Sequence, residues 1–193
     1  VVALDGGLAV SVSVEAPALV DMATWFEVNR FYTEEARLLD NRLFDEWLRL
    51  FTEDTRYWVP IRKTRMTSSK PGDRALDLEL SGDHQPSILD EGFPQLALRV
   101  SRLHTVKLLW SDNPPARCRH LITNVEASAV GPDELAARSN FVMIHGRFDD
   151  AAAPFYGERQ DVLRRVDGTF RIARRKVVLD STVLRASAVT TFF

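Results

Sequence analysis

The sequence predicts an α+β domain in which a curved antiparallel sheet folds around helices. Three observations carry that prediction. Helix-period apolar stripes are confined to the first 109 residues. Long β-rich segments separated by turn residues fill most of the second half, with an Asp167-Gly168 hairpin signal between two of them. The chain has 193 residues, and a compact chain of that size buries about 70% of its extended surface, enough for one ordinary core.

Taken in order, residues 1–20 read as an N-terminal arm, mobile or docked on a partner, ahead of a single α+β domain over 21–193. Asp5 and Gly6-Gly7 interrupt its apolar run and no basic stretch precedes it, so it makes a poor signal peptide. Trp25, Val28, Tyr32, Ala36 and Leu39 recur at helical steps and predict a helix over 20–39. Asp21 is placed to cap it and Asp40-Asn41 to end it. Phe44, Trp47, Leu48 and Phe51 fall at i, i+3, i+4 and i+7, a second helix whose aromatic face needs a sheet to lie on. Residues 55–61 are β-rich, with Pro60 marking an edge or a strand end. A long polar loop is expected over 63–86 and a mostly helical stretch over 89–109, stopped by Asp112-Asn113-Pro114-Pro115. Strands follow over 119–129, 134–148, 156–166 and 169–181.

Composition excludes several classes. A formal charge of -2 argues against binding to nucleic acid phosphates. No apolar run is long enough for a bilayer-spanning helix. The single cysteine, Cys118, rules out an internal disulfide framework and any multi-cysteine metal cage. Among the basic residues 21 are Arg and 4 are Lys; this reflects either GC-rich codon usage or a guanidinium-rich interface.

Chemistry-bearing patterns are sparse. His84, His104, His120 and His145 lie 20, 16 and 25 residues apart, so no local pair has metal-ligand spacing. His104 and His120 could still converge with a carboxylate on iron, but hydrogen-bonded imidazoles are the plainer reading. A Rieske cluster needs two Cys and two His, which one cysteine cannot supply. Cys118, between Arg117 and Arg119, is either an activated thiol or a small inward residue of a strand. Phosphate-cradling glycine motifs and the G-x-S-x-G elbow do not occur. Strand alternation divides Arg171, Arg174, Arg175 and Lys176 between two faces, as expected of a solvated or subunit-facing strand. Asp40, Glu46 and Asp54 are acid–base candidates by type, but capping and solvation account for them. No catalytic constellation emerges.

The ordered blocks Phe31-Tyr32-Thr33-Glu34-Glu35-Ala36-Arg37-Leu38-Leu39-Asp40, Phe44-Asp45-Glu46-Trp47-Leu48 and Tyr57-Trp58-Val59-Pro60-Ile61-Arg62 resemble the small (beta) subunit of Rieske-type aromatic-ring-hydroxylating dioxygenases. The resemblance continues through Trp110-Ser111-Asp112-Asn113-Pro114-Pro115-Ala116-Arg117-Cys118-Arg119-His120, Thr123-Asn124-Val125, Gly157-Glu158-Arg159-Gln160-Asp161-Val162-Leu163-Arg164, Ile172-Ala173-Arg174-Arg175-Lys176-Val177-Val178-Leu179-Asp180 and Phe192-Phe193. It covers roughly 25–193 and is nearest the biphenyl/toluene branch. Cys118, where Ser or Thr would be unremarkable, and the 63–86 loop depart from the usual pattern.

The resemblance implies a cystatin-like or nuclear-transport-factor-like cone and a non-catalytic role in a terminal oxygenase that cis-dihydroxylates an aromatic hydrocarbon. It implies no cofactor in this chain, with the Rieske iron–sulfur cluster and mononuclear iron held by a large (alpha) subunit. It further implies a cytoplasmic hetero-hexamer of three large and three small subunits, reduced by a ferredoxin and its NADH-dependent reductase, with no nucleic acid or membrane partner. Subunit contacts are expected at Trp58, Trp110, Arg117, Arg174, Arg175 and Asp180. The competing reading is an autonomous isomerase or dehydratase of ketosteroid-isomerase type on the same cone, which needs a carboxylate of raised pKa in an apolar mouth. The acids of this sequence are expected mostly at turns and helix ends, which counts against it.

Overall fold

The computed structural model describes residues 18–66, 76–105, 117–146, 153–182 and 192–193. Trp110 and most of the N-terminal arm lie outside them. Helix α1 spans Met22–Asp40. The Asp21 carboxylate caps it by accepting from the Thr24 N–H at 2.9 Å, as its position predicts. Val28, Tyr32, Leu38 and Leu39 bury one face of α1, while Trp25 stays partly exposed and anchors the helix by donating its Nε1–H to the Val125 carbonyl at 2.9 Å.

Helix α2 is shorter than its apolar spacing suggests, Phe44–Leu48, and strand β1 (Phe51–Pro60) begins where the helix was expected to continue. Phe51 is therefore a strand residue. Its ring meets Trp47 edge-on at 4.7 Å, so the i+4 spacing reports a contact across the helix–strand junction, not along one helix. The loop expected over 63–86 is pinned near its ends. Arg62 bridges Leu80, Lys63 N–H donates to Glu79 O, and a 3-10 turn covers Leu76–Glu79. Residues 89–92, expected to be helical, belong instead to strand β2 (Ser87–Gly92), and α3 follows at once as Phe93–Thr105.

The remaining strands are β3 (Arg117–Ala129), β4 (Glu134–Gly146), β5 (Ala153–Val166) and β6 (Thr169–Leu179). Asp167 and Gly168, both at positive φ, make the tight turn that joins β5 to β6. The six strands run in the order β2-β1-β6-β5-β4-β3. All pairings are antiparallel except β1 with β6, which is parallel. Parallel neighbours need a long crossover, and the whole stretch from β2 to β5 supplies one.

Two features bend the sheet. A register shift in β3 between Thr123 and Glu126 places Asn124 at φ 52°, a bulge that strengthens the local twist. In β5, a Cβ at Gly157 would lie 2.0 Å from the Val178 carbonyl oxygen. Only glycine admits β6 that closely. The three helices share one apolar core with the inward positions of the strands, among them Tyr57, Phe141, Met143, Phe155, Leu163 and Val177.

Candidate functional site: a filled interior and an open outer face

Four charged side chains reach the interior, one from helix α1 and three from the inward face of the sheet. Glu35 sits in mid-α1 on the same face as Val28 and Tyr32, Arg159 and Asp161 come from β5, and Arg175 comes from β6; all four are buried. Arg175 grips Asp161 in a fork, Nε to Oδ1 at 2.9 Å and Nη2 to Oδ2 at 2.7 Å. Its Nη2 also donates to Glu35 Oε2 at 3.0 Å, and its Nη1 donates to Glu35 Oε1. Arg159 Nη1 donates to the same Glu35 Oε2 at 3.0 Å while its guanidinium lies 4.8 Å from the centre of the Tyr32 ring. Tyr32 Oη–H donates to Asp161 at 2.9 Å and Trp47 Nε1–H to Glu35 at 3.1 Å. Two cations balance two anions. This near-saturation by hydrogen bonds offsets the desolvation of charges that are otherwise costly to bury.

Electrostatics keep Glu35 and the neighbouring tyrosines Tyr32 and Tyr57 away from proton transfer near neutrality. Burial pushes the Glu35 carboxyl up, but the Arg175 and Arg159 guanidiniums outweigh it and hold the group at about 2. Burial pushes the Tyr57 hydroxyl up to about 12. Burial and the Asp161 charge hold Tyr32 well above the usual phenol value. A ketosteroid-isomerase type base needs the opposite, a carboxylate raised toward the working pH. Glu35 and Asp161 are exceptions to the expectation that acids lie mostly at turns and helix ends. Both point into the interior, but as paired anions.

The rest of the interior is filled by rings. Phe192 lies against Trp47 with centroids 4.1 Å apart, and Phe193 sits 5.4 Å from Phe155 and 5.9 Å from Phe141. His120 is buried, with Nδ1 2.7 Å from Asp40 and Nε2 3.2 Å from the Phe192 carbonyl oxygen. Both ring nitrogens lie within hydrogen-bond distance of oxygen atoms of this chain. His104 pairs instead with Asp45 at 3.0 Å. Among the described residues no group of three metal-ligating side chains forms. Asp40 ties the end of α1 to β3, accepting also from the His120 N–H and Arg119 Nη1, each at 3.0 Å. Cys118 faces inward, partly buried against the core. Glu46 is exposed, and Asp54 is exposed and paired with Arg164.

The outer face of the sheet is open. Leu121, Val142 and Tyr156 stand directly opposite one another on β3, β4 and β5 and are 47%, 39% and 45% exposed. Ile144 extends this apolar ladder. Toward β1 the same face forms a groove of about 600 Å³ lined by Leu19, Trp58, Val162, Arg174 and Lys176. Trp58 is half-buried there, its ring 5.1 Å from the Arg56 guanidinium and 5.4 Å from Lys176 Nζ.

The residues expected at subunit contacts therefore separate. Trp58 and Arg174 share the outer face, Arg117 is exposed at the start of β3, and Asp180 is exposed just after β6, where it accepts from Arg62. Arg175 is the correction. Its strand phase matches that of Ala173 and Val177, so it turns inward and is buried by this chain itself. Reasoning from surface charge missed Glu35, Arg159 and Asp161. The available signal was their position in phase with buried apolar neighbours.

The family model for the ring hydroxylating beta subunit matches residues 34–186. The beta subunit of biphenyl 2,3-dioxygenase from Rhodococcus jostii (strain RHA1) is 33% identical, over 92% of this chain and 92% of its own. The beta subunit of benzene 1,2-dioxygenase from Pseudomonas putida is 34% identical, over 98% and 100%. A solved naphthalene 1,2-dioxygenase superposes with a TM-score of 0.76 at 26% identity, over 90% of this chain and 88% of that one. Those relatives are subunits of dioxygenases, oxidoreductases that act as complexes, and a non-catalytic supporting role fits the family. With its α+β architecture and its sequence both matched across most of their length, the chain belongs to the beta subunits of aromatic-ring-hydroxylating dioxygenases.

Proposed function

We propose that the chain is the assembly subunit of a terminal oxygenase that cis-dihydroxylates an aromatic hydrocarbon. The observation that carries this reading is the apolar ladder of Leu121, Val142 and Tyr156, left open on a sheet whose other face packs against the helices. A contiguous exposed apolar patch rimmed by charge is what a protein interface requires. Arg138 and Arg174 lie on that rim, and Trp58 and Arg117 extend the contact surface. Trp110 and Asp180 are assigned to neighbouring subunits in the same proposal. The large subunit holds the Rieske cluster and the mononuclear iron, and three copies of each subunit make the hexamer. Ferredoxin and its reductase deliver electrons to the large subunit in the cytoplasm. The paired state of Glu35 and Asp161 supports the view that this chain contributes shape and not proton transfer.

Co-expression with a large subunit tests the reading. The wild-type pair should yield a complex of hexamer mass that forms a cis-dihydrodiol. Introducing Leu121→Asp with Val142→Asp should abolish the hexamer by analytical ultracentrifugation while leaving the melting temperature of the lone chain unchanged. An intact hexamer would remove this face from the interface. Turnover of an arene by the small subunit alone would overturn the proposal.

A further inference from the structure

Strand register sets the plan of the outer-face groove. Arg56, Arg174, Val162, Ala136 and Ser128 stand opposite one another on β1, β6, β5, β4 and β3. The neighbouring outward row is Trp58, Lys176, Gln160, Arg138 and Glu126. Ser128, Ala136 and Val162 are short beside those larger neighbours, and a channel of about 600 Å³ crosses the sheet over them. Leu19 bridges Ser128 and lines one end of the channel with an exposed side chain, while Trp58 lines the other. The Trp58 Nε1–H is buried yet has no acceptor among the described residues; a buried donor of this kind normally has one. Of the cations along the channel, Arg56 is taken by Asp83 and Asp90, and Arg138 by Glu158. Arg174 and Lys176 have no carboxylate partner among the described residues, and Glu126 is the one acid of the two rows.

We infer that this channel seats the chain's own N-terminal arm, with residues 10–17 laid across the sheet as an extended strap from Leu19 toward Trp58. The strap enters where the channel begins, because Leu19 directly follows it in the chain and already lines that end. Val10, Val12 and Val14 alternate with Ser11 and Ser13, so an extended segment turns its valines to the floor and its hydroxyls to water. Residues 1–17 carry Asp5 and Glu15 and no Lys or Arg, the charge that Arg174 and Lys176 attract. From Leu19 to β1 is five strand spacings, about 24 Å, which about seven extended residues span. A backbone carbonyl arriving at that end supplies the acceptor that Trp58 lacks. Tethering holds the strap at an effective concentration of millimolar order, so contacts too weak for a free peptide suffice. The ladder of Leu121, Val142 and Tyr156 lies farther along β3, β4 and β5, outside the channel, and stays open.

Disulfide trapping in the full chain, without a large subunit, tests this independently of the assembly reading. Val14→Cys with Val162→Cys puts one thiol on the strap and one on the channel floor, about 14 Å from Leu19. Val14→Cys with Asn140→Cys puts the second thiol outside the channel, about 16 Å from Leu19 and within the same reach. With oxidised glutathione as oxidant, the first pair should close within one chain at least about tenfold faster than the second. Non-reducing electrophoresis gives the rates, and mass spectrometry of the linked peptides separates this bond from any made by the inward-facing Cys118. Adding Arg174→Glu with Lys176→Glu should slow the first pair about threefold, and Glu15→Arg on top of those changes should restore the rate. Equal rates for the two pairs, no closure, or indifference to the charge exchange would each overturn the inference. Closure between two chains would overturn it by giving the channel to the arm of a second copy. If the Val162→Cys chain does not fold, Ala136→Cys replaces it on the same floor, with the same outcomes.

Discussion

Glu35 shows most directly how one residue is tuned by its surroundings. Its carboxylate lies between two guanidiniums and an indole N–H, and both arginines lose a partner if it goes. Glu35→Gln keeps the shape and removes the charge, leaving two guanidiniums against the one Asp161 carboxylate in the core. It should cost about 3–5 kcal/mol, the range for breaking one side of a buried ion pair, read as a lower urea midpoint. Replacing Glu35, Asp161, Arg159 and Arg175 together by apolar residues of similar volume should cost far less, because no orphaned charge remains. The pH dependence has a definite sign. Glu35 is held at about 2 in the folded state against an ordinary value of 4.5, so its contribution is complete above about 4.5. That contribution is lost as the pH falls through about 2. Chemical denaturation at stepped pH should therefore show stability declining through that window, and a folded Glu35→Gln variant should decline less.

At the scale of elements, curvature rests on a few backbone positions. Gly157 lets β6 pass where a methyl group would meet the Val178 carbonyl. Gly157→Ala should cost at least about 3 kcal/mol, seen as a large drop in melting temperature, because the obstacle is backbone and cannot rotate away. Much at this scale was legible in the sequence. The α1 stripe, the Asp21 cap, the four late strands and the Asp167-Gly168 turn all stand close to where periodicity and turn chemistry put them. The misreadings have a shared cause. Phe51, and the 89–92 stretch now in β2, have spacing that suits a helix, but their backbone groups pair with other strands: Phe51 opposite Ile172, and Leu89 opposite Val59. Ladder pairing of that range overrides a local helical pattern. Arg175 was misplaced for a related reason. Charge suggested a surface, whereas alternation with Ala173 and Val177 put it inside.

For the whole molecule the asymmetry between the two sheet faces is what matters. One face closes over α1, α2 and α3, and the other presents Leu121, Val142, Ile144, Tyr156 and the Trp58 groove. A further prediction belongs to this scale. Arg174→Glu should weaken assembly with the large subunit and should do so more at low salt than at high salt, since the side chain is exposed and its charge is screened. Binding measured across a salt series checks it. The same change at Arg175 should instead unfold the chain, because that side chain is internal.

By itself the sequence determined the class of fold, the order and approximate extent of most of its elements, the lack of a local metal or nucleophile motif, and, through ordered blocks of resemblance, the family. Those are properties of neighbouring residues and of pattern, which short-range sterics and periodic burial express directly. Only the tertiary structure decided that β1 runs parallel to β6, that Glu35, Arg159, Asp161 and Arg175 form one neutral buried cluster, and that Phe192 and Phe193 fill the interior. Each of these joins residues far apart along the chain. Whether a charge is solvated or paired depends on which distant strand or helix arrives opposite it, and no local pattern of residues records that arrival.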